Sequence, residues 1–194
     1  MKPGCLSVVL FVVLLAGLAA SLVYAGPTTQ PATALDFVVQ DIDGKPYDLA
    51  QLKGKVVLIV NVASKCGYTK QYAGLEALYQ QSQKDGLVIV GFPANDFKGQ
   101  EPGTNEEIKA FCTGKYSVTF PMMSKISVKD PEKAPLYQYL TAPETAGTSA
   151  GEIKWNFTKF LIGRDGNIAQ RFESKVAPDD PAFVAAVAGA LAAK

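Results

Sequence analysis

Long runs of apolar residues alternate along this chain with segments in which apolar residues recur every three or four positions. The runs Val56 to Val62 and Gly86 to Pro93 are rich in valine and isoleucine, which predicts two strands buried on both faces. The spacing of apolar residues between them predicts a helix from about Lys70 to Ser82. A strand, a helix and a strand in this order predict a parallel pair.

Shorter elements are predicted on either side of this pair. Asp36 to Val39 is predicted to be a short strand, and the capping box Thr104 to Glu107 opens a helix. Ala134 to Leu140 is predicted to be helical. Ala142 to Glu152 is rich in small residues and is predicted to be a loop.

The C-terminal part combines a hairpin with a helix. Lys159 to Gly163 and Ile168 to Phe172 flank the turn sequence Arg164 to Asn167, which predicts two antiparallel strands. Asp180 and Pro181 then begin a final helix with one apolar face. The chain is therefore predicted to be an α/β domain, with a central mixed β-sheet flanked by helices on both faces.

The N-terminus has the pattern of an export signal. A positively charged start precedes an almost wholly apolar stretch from Leu6 to Val23, and Ala25 is a small residue at a suitable cleavage position. We expect residues 1–25 to be a signal peptide, residues 26–35 a linker and residues 36–194 the folded domain. The apolar stretch is also long enough to span a bilayer, so an uncleaved anchor is the alternative. In either case the domain is expected outside the cytoplasm, in the periplasm or secreted.

Composition argues against several kinds of function. With 19 Lys and Arg against 18 Asp and Glu, the net charge is +1, which argues against a nucleic-acid binder with a basic surface. The chain has no histidine, which removes Ser-His and Cys-His catalysis and most zinc sites. Any reactive thiol must therefore be activated without an imidazole.

Two cysteines remain after the expected signal peptide, Cys66 and Cys112. Cys66 follows a predicted buried strand and precedes a predicted helix, so it is expected in the crevice where open α/β sheets bind ligands. Helix N-terminal N–H groups and Lys65 favour a nucleophilic thiolate there, although a buried, inert cysteine is the alternative. The two cysteines do not form a C-x-x-C motif, so an ordinary thioredoxin active site is absent. A structural disulfide between them is the other possibility.

Polar residues on two later segments are expected near Cys66. Gln100 lies in the loop after the second buried strand, which should reach the same crevice. Trp155 and Asn156 come just before the hairpin, and their N–H groups are neutral donors that can stabilise a thiolate. The alternatives are a surface turn for Gln100 and core packing for Trp155, which is the only tryptophan.

Three sequence motifs, taken together and in this order along the chain, are highly specific: Asn61 to Thr69, Phe92 to Gly103, and Trp155 to Leu161. In these segments the chain resembles the glutathione peroxidase family, and the resemblance extends from about Asp36 to the end of the final helix. It implies a thioredoxin-like fold and the reduction of hydroperoxides.

The resemblance also implies roles for single residues. Cys66 matches the peroxidatic residue, in the cysteine rather than the selenocysteine version, and Gln100, Trp155 and Asn156 match the remaining active-site residues. Cys112 matches the resolving cysteine of the thiol-dependent branch. The implied cycle oxidises Cys66 to a sulfenic acid, closes a disulfide with Cys112 and is completed by a thioredoxin-type protein. It needs no metal or organic cofactor.

Some positions depart from the family pattern. Ala94 stands where many relatives carry a third cysteine, and Asp96 replaces a common glutamine. The stretch from Lys129 to Trp155 is short beside the tetrameric members that use glutathione. We therefore expect a thioredoxin-type reductant rather than glutathione, and a monomer or dimer rather than a tetramer.

Two other functions remain open from the sequence. One is an exported thiol–disulfide oxidoreductase, against which the missing C-x-x-C motif counts. The other is a peroxide-sensing redox relay, because oxidation of the same cysteine could change a partner interface. Fast turnover of hydroperoxide with a reductant would separate both from a peroxidase.

Overall fold

The computed structural model describes Met1 and residues 31–193. The expected signal peptide after Met1 and the first half of the expected linker lie outside the described residues, so these expectations stay predictions. Among the described residues, no helix is both long enough and apolar enough to cross a membrane. Ala34 and Leu35, which the sequence placed in the linker, are fully buried, so core packing already includes residue 34.

The described part of the chain contains six strands. They are β1 (Val38–Gln40), β2 (Pro46–Asp48), β3 (Val56–Val62), β4 (Leu87–Pro93), β5 (Lys159–Ile162) and β6 (Ile168–Phe172). β1 and β2 form an antiparallel hairpin of their own, and the other four form one sheet in the order β4-β3-β5-β6. β3 and β4 are parallel, whereas β5 is antiparallel to both β3 and β6. The predicted mixed sheet is confirmed, although β1 starts two residues later than expected.

β3 lies in the middle of the domain, and all seven of its residues are buried. Because side chains alternate across a strand, Leu58 and Val60 pack into the core on one face of the sheet, and Val57 and Ile59 pack into the core on the other. A strand with two apolar faces needs cover on both sides. Asn61 is the one polar residue of this strand, and it is fully buried.

The described residues form five α-helices. They are α1 (Gln71–Ser82), α2 (Asn105–Tyr116), α3 (Pro135–Thr141), α4 (Pro143–Ala146) and α5 (Pro181–Ala192). Tyr72 of α1, Ile108 of α2 and Phe183 of α5 join the core on one face. Tyr137 of α3 joins the core on the other face, so the expected cover on both sides is confirmed.

Local sequence sets where two of the helices begin. The Thr104 hydroxyl accepts the Glu107 N–H at the start of α2, and the Glu107 carboxylate accepts the Thr104 N–H in return. The Asp180 carboxylate accepts the Ala182 N–H at the start of α5, where Pro181 occupies the first turn.

The segment predicted as a loop, Ala142 to Glu152, contains short helices. α4 begins at Pro143 and is followed by a 3₁₀ turn at Gly147–Ser149. The prediction was wrong here because one helical turn is too short to show a 3.6-residue apolar period. Pro143 in the first turn is the signal that the sequence does offer.

Candidate active site

Cys66 lies in the turn that joins β3 to α1, and its side chain is buried. The Tyr68 N–H donates a hydrogen bond to the Cys66 sulfur at 3.4 Å. The Thr69 hydroxyl accepts the Cys66 N–H at 3.0 Å and donates to the Ala63 carbonyl at 2.7 Å. These bonds fix the turn and direct a backbone donor at the sulfur.

The surroundings of Cys66 differ in one respect from the expectation. α1 begins only at Gln71, so Cys66 is not in the first turn of the helix. Since the effect of the helix dipole falls off within one turn, the Tyr68 N–H in the intervening turn replaces the helix N-terminus as the donor. Lys65, expected to add positive charge, is exposed to solvent.

Gln100 lies in the loop that follows β4. Gly99, just before it, has a left-handed φ of 61°, which glycine adopts without steric cost and which turns the chain sharply. The Gln100 carbonyl then accepts the Lys65 N–H at 3.0 Å. This backbone bond ties the loop to the residue next to Cys66, as the crevice argument predicted.

Asn156 contacts Gln100 directly. Its side chain is fully buried, and its Nδ2 donates to Gln100 Oε1 at 3.0 Å. The bond joins residues 56 positions apart in the sequence. The Asn156 Oδ1 is buried and accepts no hydrogen bond from the described part of the chain. Buried polar atoms are nearly always paired, so this oxygen is an exception.

Trp155 is half-buried and packs against the cores on both faces of the sheet. Its ring lies 5.6 Å from that of Phe97, and the Lys98 ammonium lies 5.7 Å from its ring centre. Together with Tyr68 and Ser174, Trp155 lines a surface depression beside the Cys66 turn. Core packing therefore explains only part of the Trp155 surface, because another part lines this depression.

The four predicted residues Cys66, Gln100, Trp155 and Asn156 thus lie at one edge of the sheet. The carboxyl ends of β3 and β4 and the start of the antiparallel β5 all come to this edge. Within the described residues, no group of three or more His, Cys, Asp and Glu is placed to hold a metal ion.

Cys112 lies on α2, in the same core cluster as Cys66. Both are free thiols, so the structure shows no disulfide between them. Burial, with a smaller contribution from the Glu101 carboxylate, raises the pKa of Cys112 to about 11, although the hydrogen bond with the Tyr72 hydroxyl opposes the shift. The buried thiol of Cys112 is therefore protonated at neutral pH.

The role of Asn61 was not anticipated from the sequence. Its Nδ2 donates to the Trp155 carbonyl at 3.2 Å, and its Oδ1 accepts the Thr158 N–H at 3.1 Å. Its own carbonyl accepts the Phe157 N–H at 2.6 Å. These three bonds clamp the segment that carries Asn156. The signal in the sequence that could have identified Asn61 is an amide side chain inside an otherwise apolar strand.

Two residues of the β4 loop have similar structural roles. The Asn95 Oδ1 accepts the Glu101 N–H at 2.8 Å and closes the loop around Gln100. Asp96, a departure from the family pattern, accepts the Ser127 hydroxyl at 2.6 Å and the Val128 N–H at 2.8 Å. The carboxylate thus anchors the loop to the segment that follows α2.

A buried thiol in the turn after a central parallel strand, beside an amide pair and an indole, defines a thiol oxidoreductase. The family model "Glutathione peroxidase" matches residues 34–141. The "Glutathione peroxidase-like peroxiredoxin gpx1" of Schizosaccharomyces pombe is 49% identical over 144 residues, which cover 74% of this chain and 90% of that protein. The "Thioredoxin/glutathione peroxidase BtuE" of Escherichia coli is 45% identical over 177 residues, covering 81% of this chain and 97% of that one.

The chain therefore belongs to the glutathione peroxidase family, and it is a peroxidase. A solved structure of a thioredoxin-family thiol:disulfide interchange protein from Chlorobium tepidum aligns with a TM-score of 0.61 at 22% identity, covering 83% of this chain and 97% of that one. At that identity the match shows the fold alone. The predicted thioredoxin-like fold is confirmed.

Proposed function

We propose that Cys66 is the peroxidatic residue of this thiol peroxidase, and that Gln100, Trp155 and Asn156 hold its thiolate and orient the hydroperoxide. The main support is the hydrogen bond between Asn156 and Gln100 beside a sulfur that already accepts a backbone N–H. Neutral donors at fixed positions can stabilise negative charge without a histidine.

In the first step the Cys66 thiolate attacks the terminal oxygen of the hydroperoxide. An S–O bond forms as the O–O bond breaks, so the sulfur is oxidised to a sulfenic acid and the peroxide is reduced. The departing alkoxide or hydroxide takes a proton from solvent and leaves as an alcohol or water. The amide and indole N–H groups would stabilise the charge that develops on this oxygen.

In the second step the Cys112 sulfur attacks the Cys66 sulfenic acid. An S–S bond forms as the S–O bond breaks, and the hydroxide leaves as water with the proton of the Cys112 thiol. A disulfide needs Cα atoms about 4.4–6.8 Å apart. Because Cys112 is buried in α2, we infer that this helix opens locally before the bond closes.

A dithiol protein of thioredoxin type would then reduce the disulfide by exchange and restore both thiols. The name of the Escherichia coli relative couples thioredoxin with glutathione peroxidase, which supports this reductant over glutathione alone. We further propose an exported domain that acts as a monomer or dimer. The support for export is the apolar N-terminal stretch before Ala25.

Replacing Gln100 by alanine is expected to slow the oxidation of Cys66 by about 10–10²-fold, because the Asn156 amide loses its acceptor and the thiolate loses a donor. Stopped-flow single turnover with one equivalent of hydroperoxide measures this rate. Gln51→Ala is the matched control, since Gln51 is an exposed glutamine on the 3₁₀ turn before β3. An unchanged rate in Gln100→Ala would assign Gln100 to a surface turn only.

A further inference from the structure

Lys159, the first residue of β5, is a charged side chain with no exposed surface. Its Nζ donates to the Phe157 carbonyl at 2.8 Å and to the Val176 carbonyl at 2.7 Å. Both acceptors are neutral. Because burying an ammonium group without a carboxylate costs free energy, its presence beside a candidate active site calls for an explanation.

The two carbonyls belong to two segments that line the depression beside the Cys66 turn: the segment of Trp155 to Phe157, and the segment of Ser174 to Val176, here called the facing wall. Phe157 follows Asn156 directly and has a left-handed φ of 66°, a conformation that is strained for an aromatic residue. Val176 belongs to the segment after β6, and Ser174 of that segment lines the depression together with Trp155. The Lys159 ammonium therefore joins the wall that carries Trp155 and Asn156 to the facing wall.

The facing wall is itself fixed to α1. The Gln71 Nε2, at the start of that helix, donates to the Ser174 carbonyl at 2.7 Å. Lys159 thus completes a chain of bonds from α1 through the facing wall to the strained Phe157 turn. Without the ammonium, that turn would keep its bonds to Asn61 of β3 and the bond from Asn156 to Gln100, but it would lose its bond to the facing wall.

Burial lowers the pKa of Lys159 to about 7. Neighbouring charged groups do not offset this lowering of the Lys159 pKa. The Glu173 carboxylate pairs with Arg171 of β6, and Lys175 is itself positively charged. A neutral amine still has two N–H donors, so both carbonyls can remain bound in either protonation state. The geometry of the two walls is therefore preserved across neutral pH.

We propose that Lys159 is a positioning residue for the oxidation of Cys66. It acts by holding the Phe157 and Val176 carbonyls, so that Asn156 keeps its bond to Gln100 and Trp155 keeps its place beside the Cys66 turn. This rests on the roles proposed above for Trp155 and Asn156. A small displacement of such groups is enough to slow a reaction that depends on alignment.

The test compares Lys159→Met with Arg164→Met. Methionine keeps most of the length of the lysine side chain but has no donor. Arg164 also donates to backbone carbonyls, those of Gly54 at 2.8 Å and Leu191 at 2.9 Å, but at the other end of β5. We expect Lys159→Met to slow the oxidation of Cys66 about tenfold while the reduction of the preformed disulfide by thioredoxin keeps its rate. Arg164→Met should leave both rates unchanged.

Two results would overturn this role. One is an oxidation rate in Lys159→Met equal to that of the wild type. The other is a parallel loss in both half-reactions that follows the loss of stability in urea, as a purely structural residue would give. If Lys159→Met does not fold, Lys159→Gln serves instead, because glutamine keeps a polar group at this position but its amide nitrogen is uncharged and one bond closer to the backbone than the lysine Nζ. A wild-type protein whose Cys66 does not react with hydroperoxide would refute the proposed function itself.

Discussion

Replacing Cys66 by serine is expected to abolish hydroperoxide turnover, with a loss of at least about 10³-fold, or ~4 kcal/mol of transition-state stabilisation. A serine hydroxyl needs a general base to become a comparable nucleophile, and the chain has no histidine to act as one. The measurement is the steady-state consumption of hydroperoxide with thioredoxin as the reductant.

The other cysteine supplies the control for that experiment, because Cys112→Ser should retain the first oxidation step. Unfolding in urea should show that Cys66→Ser keeps its stability, since serine is close in size to cysteine and the site is already partly polar. Turnover in Cys66→Ser at even a tenth of the wild-type rate would mean that another group carries the reaction.

Replacing Cys112 by serine is expected to separate the two halves of the cycle. The variant should react once with hydroperoxide at the wild-type rate, and its steady-state turnover with thioredoxin should fall by about 10²-fold or more. The reason is that burial raises the pKa of Cys112 to about 11, so this thiol does not compete for the peroxide and acts only after Cys66 is oxidised.

Single-turnover and steady-state rates on the same preparation decide this second case. A slower first oxidation in Cys112→Ser would indicate that Cys112 supports the Cys66 site in the reduced protein. Normal cycling with thioredoxin would show that Cys112 is not the resolving residue, and the disulfide partner would have to come from another molecule.

The strands, the helix starts and the meeting of the site residues could be predicted from the sequence because each has a local signal. β3 and β4 are continuous apolar runs, and α2 begins at a capping box. The edge where Cys66, Gln100 and Asn156 meet follows from strands that end on the same side of the sheet.

The clamps around the site could not be predicted in the same way. Asn61 holds Trp155 and Thr158 across more than ninety positions of sequence, and Lys159 holds Val176 from a neighbouring segment. Such bonds depend on how distant segments approach one another, which no local pattern reports. The donor to the Cys66 sulfur was also misplaced. The start of α1 at Gln71 agrees with the predicted start near Lys70, but the donor is the Tyr68 N–H of the preceding turn and not an N–H of the first helical turn.

The most direct test is peptide mass spectrometry on the reduced protein after one equivalent of hydroperoxide, before and after the addition of reduced thioredoxin. We expect a peptide pair cross-linked between Cys66 and Cys112 that appears on oxidation and disappears with thioredoxin. A Cys66 that remains a free thiol while the hydroperoxide persists would contradict the peroxidase cycle built on this residue.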